Sequence, residues 1–188
     1  AGGFAGPVVS YKHHFTDRWF VSGSFQTLFG KQMYGLATQG GYRLPASYFN
    51  FYFMGKVMYN RYQKYNTNEW NLNVSVLWEA PYFEIMLGET FVRYIMSNSG
   101  YSERHTPVFG IGANIRPRWN SWNIGLFFRN YDDFYFENWN INWGLRFNAN
   151  LPASVKLFGE LSIRPAGSIS QLATKYETSL KLGLKYAW

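Results

Sequence analysis

The sequence predicts an all-β chain, a closed antiparallel transmembrane β-barrel of about ten strands with its apolar face turned outward. Three observations predict it. Residues 174–188 alternate without a break. Tyr176, Thr178, Leu180, Leu182, Leu184, Tyr186 and Trp188 share one face, and Lys175, Glu177, Ser179, Lys181, Gly183, Lys185 and Ala187 share the other, which is the period of a strand. Aromatic residues (17 Phe, 15 Tyr, 8 Trp) make 21% of the chain and charged residues 15%, where about 25% charged is typical of a soluble domain. Tight connections alternate with longer polar ones, as the two ends of a membrane barrel require.

The first hairpin runs from Pro7, Val9 and Tyr11 through a Thr16-Asp17 turn. It continues with Trp19, Val21, Gly23, Phe25, Thr27 and Phe29, which alternate with Ser22, Ser24 and Gln26. Residues 30–46 read either as a loop or as a strand through Tyr34, Leu36 and Tyr42. The loop reading gives ten strands. A strand there makes eleven, and an odd count would put Ala1 outside the cell; eight and twelve stay as alternatives, twelve if a strand precedes residue 1.

Phe49, Phe51, Phe53, Val57 and Tyr59 form the next alternation, and a polar loop at 63–68 ends it. Trp70, Leu72, Val74, Val76 and Trp78 against Asn71, Asn73, Ser75 and Glu79 is the clearest segment. A Trp at each end of its apolar face is the pattern of interfacial aromatic girdles. After Ala80-Pro81, residues 83–96 carry Glu89 and Arg93 in step with Phe83, Ile85, Leu87 and Phe91, which predicts a bulge or an early exit from the membrane. Residues 97–104 read as a polar loop. Phe109, Ile111, Ala113 and Ile115 follow, turned by Pro117-Arg118 into Trp122, Ile124, Leu126 and Phe128. Beyond the loop at 130–137 come Trp139, Ile141, Trp143, Leu145 and Phe147. A Leu151-Pro152 turn leads to Val155, Leu157, Leu161 and Ile163, and a loop at 165–172 leads to the closing strand. Leu44-Pro45-Ala46-Ser47 repeats Leu151-Pro152-Ala153-Ser154, which places both at the short-turn end.

Alternation alone does not say which face meets lipid, since a soluble β-sandwich or a lipocalin-like barrel alternates too. Volume decides. A barrel of about eight strands just holds one packed set of side chains, so ten strands with four or five bulky residues each pointing inward would overfill the lumen. The bulky face therefore points out, and the Gly, Ser, Asn and charged face points in.

Composition removes other classes. A length of 188 residues fits a single domain, 1–188. No run approaches the 18 or so apolar residues of a membrane helix, so a membrane protein of this sequence spans as a barrel. With 0 Cys there is no disulfide, thiolate metal site or cysteine nucleophile. The net charge of +7 is spread singly along strands, which argues against nucleic acid as a partner. No metal-ligand spacing and no cofactor motif is present. The start, Ala1-Gly2-Gly3, lacks a basic and an apolar region and fits a chain whose signal peptide has been removed.

The alternation that ends in an aromatic residue, Leu180, Leu182, Leu184, Tyr186 and Trp188, resembles the terminal assembly signal of bacterial outer-membrane β-barrels. The resemblance implies a location in the bacterial outer membrane. It also implies contact with the bilayer and lipopolysaccharide, handling by the outer-membrane assembly machinery, and other envelope proteins as further partners.

The inward register collects Lys12, Lys56, Arg116, Arg129, Arg146, Lys156, Lys175, Lys181 and Lys185 against Glu79, Glu160 and Glu177. Two readings follow. The charges pair across a closed interior, making a plugged structural or accessory barrel, or they line a narrow pore that draws in anionic solutes. Other readings are an outer-membrane hydrolase using His105, close to Ser102 and Glu103 at a predicted outer loop, and a soluble β-sandwich binding protein. His13 and His14 read as strand-end residues.

Overall fold

The structure, a computed structural model, describes residues 6–29, 33–63, 66–96, 100–118, 120–131, 141–152, 155–166 and 175–186. Among these residues eleven strands form one antiparallel sheet in chain order. They are β1 (Val8–His14), β2 (Trp19–Leu28), β3 (Met33–Pro45), β4 (Asn50–Tyr62), β5 (Thr67–Glu79), β6 (Phe83–Met96), β7 (Gly100–Asn114), β8 (Trp122–Arg129), β9 (Asn142–Asn150), β10 (Val155–Ala166) and β11 (Lys175–Tyr186). β1 and β11 are the edges of this sheet, and among the described residues no ladder joins them.

Burial is the reverse of a soluble domain. On β5, Asn71, Asn73 and Ser75 are buried while Leu72, Val74 and Val76 are exposed. The same inversion runs along β8, where Asn123 and Phe127 are buried between exposed Trp122, Ile124, Leu126 and Phe128. A soluble sandwich hides its apolar face, so this sheet is not one. Trp70 and Trp78 lie eight residues apart on β5. At about 3.3 Å per residue and a tilt of about 40° they bracket roughly 20 Å of apolar surface, close to the band of a membrane barrel. Ring contacts thicken both borders, with Trp78–Phe83 centroids 5.0 Å apart at one end and Tyr59–Trp70 4.8 Å apart at the other.

The ladders are sheared. Trp78 pairs with Ile85, Ile85 with Ile111, Ile111 with Phe128, and Phe128 with Trp143. Trp78 stands at the short-turn end of β5 and Trp143 at the long-loop end of β9. One line of partners therefore climbs from one aromatic border to the other, which is the stagger of tilted barrel strands.

Four sequence expectations change. Residues 33–45 form β3, paired along its length with β2 and β4, so the sheet has eleven strands and not ten. Gly35, Gly40 and Gly41 dilute its apolar alternation, and Gly41 has a reason to be glycine: a Cβ there would meet the Phe20 ring at 2.5 Å. The β2–β3 connection then falls at the long-loop end, and 46–49 joins 15–18, 80–82, 115–121 and 151–154 at the short-turn end. Leu44-Pro45 and Leu151-Pro152 thus sit at one end. Second, β7 begins at Gly100, inside the segment read as loop 97–104. Third, β6 carries no bulge, because its partners on β5 and β7 run one to one. Glu89 and Arg93 face outward, where Glu89 pairs with His105 at 3.4 Å and Arg93 with Glu103 at 3.3 Å. Arg93 is the ladder partner of Trp70 at the aromatic border, and Glu89 is the partner of Val74. Fourth, β9 starts at Asn142; Trp139 lies outside the described residues.

Candidate functional site: the concave face

Two alternating positions per strand put every second side chain on the concave face, where a barrel keeps its polar residues. The cations there, Lys12, Arg43, Lys56, Arg104, Arg129, Arg146, Lys156 and Lys181, outnumber the anions Glu69, Glu79, Glu84 and Glu160.

Toward the short-turn end the charges form one network. Tyr52 on β4 donates to Glu79 at 3.1 Å. Arg118, from the β7–β8 connection, donates to Glu79 at 3.1 Å and pairs with Glu84. Arg146 on β9 pairs with the other oxygen of Glu84 and donates to Asn114 at 3.4 Å. β6 and β9 are three strands apart, about 14 Å along a flat sheet at 4.8 Å per strand. The contact is made because the sheet is concave and because the two strands between carry glycine. A Cβ at Gly112 would lie 2.7 Å from Glu84 Oε1 and 2.8 Å from Arg146 Nη2, and one at Gly125 would lie 3.3 Å from Arg146 Nε. The glycines make a trench for the guanidinium.

A second network links the last strands. Arg129 donates to Glu160 Oε1 at 2.7 Å, and Lys181 Nζ lies 3.8 Å from the same oxygen. Farther round, Glu69 accepts from Asn60 at 3.0 Å, Asn71 at 2.6 Å and Tyr62 at 3.1 Å. This carboxylate is screened by neutral donors.

At the short-turn mouth a cavity of about 410 Å³ is lined by Lys12, His14, Arg18 and Arg43, with Asp17, Phe20 and Tyr52. Lys12 Nζ stands 4.1 Å above the Phe20 ring, and Arg43 donates to Asn50 at 2.9 Å. Here cations gather with a single described carboxylate, Asp17, to offset them.

Most of the residues singled out from sequence therefore stand on the concave face, with exceptions. Arg116 is not there: β7 ends at Asn114, and Arg116 lies in the connection, exposed, its guanidinium 3.7 Å over the ring of outward-facing Trp122. Strand alternation was extended two residues too far. Lys56 and Lys156 hold inward register positions opposite Asn73 and Asn150. Lys175, Glu177 and Lys185 hold register positions opposite Ala166, Arg164 and Lys156, and their side chains lie outside the described residues. Leu180, Leu182 and Leu184 are exposed on the outer face, while the Tyr186 side chain and Trp188 lie outside the described residues. His105 faces outward, paired with Glu89 and 4.4 Å from the Phe91 ring.

Glu84, Arg118, Arg43, Arg104 and Glu69 were missed by sequence reasoning. Glu84 and Glu69 alternate correctly against Phe83 and Trp70, so period 2 could have found them. Arg118 could not be found that way, because a turn residue has no face until the turn is built.

No protein-family model and no curated protein matches the chain. Among solved structures it is similar to a KdgM porin in complex with disordered oligogalacturonate, with a TM-score of 0.64 at 11% identity, covering 97% of this chain and 92% of that one. The likeness shows the fold: this all-β antiparallel sheet is that of a porin-like β-barrel.

Proposed function

We propose that the chain is an outer-membrane porin that passes small, preferentially anionic solutes through a narrow lumen, and is not an enzyme. The observation that carries this reading is the mouth cavity, where the cations Lys12, Arg18 and Arg43 converge with Asp17 as the described carboxylate among them. A basic vestibule walled by protein raises the local concentration of anions and so their rate of entry. The excess of cations along the rest of the concave face extends that field inward. The porin of similar fold was solved with oligogalacturonate, a ligand that carries carboxylates, and this supports an anionic solute here. The exposed apolar band between aromatic borders supports placement in a membrane, and in the outer membrane the chain would meet lipopolysaccharide after passage through the assembly machinery.

Purified protein in a planar bilayer under a salt gradient tests the proposal. A reversal potential displaced toward the anion equilibrium value is expected. A cation-selective or unselective record, or a bilayer that stays silent, would count against it.

A further inference from the structure

The concave face is mostly polar; buried Phe20, Met33, Val92 and Phe127 also stand on it, and one further set of apolar side chains there packs together. Met58 on β4, Val108 on β7 and Ala37 on β3 form a single packed cluster, 0%, 1% and 2% exposed, and Met86 on β6 and Tyr131 pack against it. These are apolar side chains on the face that should be wet. Ala37 and Met58 are direct ladder partners, but β4 and β7 are three strands apart, so the cluster bridges the concave face from β3 to β7. The wall beneath Val108 is low: its partner on β6 is Gly88, whose partner on β5 is Ser75.

Tyr131 is brought there by its neighbour. Asn130 is 1% exposed and binds β7 three ways. It accepts from Phe109 N–H at 2.9 Å, donates its amide to Pro107 O at 2.6 Å, and donates its own N–H to Phe109 O at 3.2 Å. This holds the chain just past β8 flat against β7. The Tyr131 ring then lies over Gly110, where a Cβ would stand 2.9 Å from Cε1 and 3.1 Å from the hydroxyl. Only a glycine leaves the ring room on the concave side.

We infer that Tyr131, pinned by Asn130, joins Met58, Met86 and Val108 in an apolar constriction that sets the size limit of the pore. This rests on the pore reading and adds a separate element to it. Charges around the lumen decide which sign of solute enters, and the constriction decides how large a hydrated solute passes, because an apolar ring resists wetting as it narrows.

The test compares wild type with Tyr131→Ser, Met58→Ala and Tyr131→Trp, each confirmed as folded by heat-modifiable migration. Single-channel conductance is measured together with swelling of proteoliposomes in neutral sugars from one to four rings. Tyr131→Ser and Met58→Ala should raise conductance about twofold or more and admit larger sugars, and Tyr131→Trp should lower both. The reversal potential should stay where wild type has it. The Trp variant keeps the test open if the smaller side chains fail to fold. Unchanged conductance and sugar cut-off in folded variants would overturn the constriction, as would variants that stay impermeable. Loss of anion preference in wild type with the sugar cut-off still moved by Tyr131→Ser would overturn the anionic reading alone.

Discussion

Arg146 on β9 reaches over Gly125 and Gly112 to share the carboxylate of Glu84 on β6 with Arg118 from the short-turn connection. Three elements distant in sequence are tied on the inner wall by one acid. Each of the two guanidiniums has lost most of its access to solvent, so removing the acid takes the carboxylate from Arg146 and leaves Arg118 with Glu79 alone. Glu84→Gln is therefore expected to destabilise the barrel by about 1–3 kcal/mol. Unfolding in urea, followed by heat-modifiable migration, measures it, and an unshifted midpoint would mean that lumen water replaces the carboxylate at no cost.

The trench makes a second prediction, on backbone positions with no charge at all. Gly112→Ala would push a methyl to within 2.7 Å of Glu84 Oε1 and 2.8 Å of Arg146 Nη2. It should destabilise wild type, and do so less when Glu84→Gln is already present, since neighbours that share one interaction are not additive. Gly55→Ala is the control, because a Cβ there has nothing within 4 Å. A Gly112→Ala cost equal in both backgrounds would separate the glycine from the ion pair.

Much of this architecture is legible in the amino-acid pattern alone, and what is not legible has physical causes. Period 2 identifies the outer face of β5 and the inner positions of Arg129, Arg146, Glu160 and Lys181, because strand alternation is a local rule. It fails at β3, where Gly35, Gly40 and Gly41 hide the pattern while the ladders to β2 and β4 hold the chain extended. It fails at Arg116, where alternation was extrapolated into a turn. The partners of Arg146 lie beyond it altogether: which strands face each other over a lumen depends on closure and stagger, and neither is written in any one segment.

The register itself is open to a direct comparison on β5. Val74 is 57% exposed on the apolar band and Asn73 is 1% exposed on the concave face. Val74→Arg should cost about 2–4 kcal/mol and impair assembly, as a cation on the lipid face near the midplane does. Asn73→Arg should be tolerated better, because a guanidinium on the concave face stands among polar side chains and not in lipid. Should Asn73→Arg be the more damaging in a folding assay with lipid vesicles, the two faces would have to be exchanged.

Selectivity is best tested at the mouth. Arg146 and Lys181 are poor choices, since Glu84 and Glu160 hold them and their reversal would report on stability. At the mouth, Lys12 lies over Phe20 and Arg43 donates to the neutral Asn50, and changing their sign alters the field at that end of the lumen. Lys12→Glu combined with Arg43→Glu should move the reversal potential toward the cation value, while Arg93→Glu on the outer face should leave it where wild type has it. The difference between the double variant and wild type should shrink as salt rises, because the Debye length falls from about 10 Å at 0.1 M to about 3 Å at 1 M. A field from charges buried out of reach of mobile ions would persist at high salt. A double variant that keeps the wild-type reversal potential at 0.1 M would show that the mouth does not select, and would move the search to Lys56 and Lys156 farther along the wall.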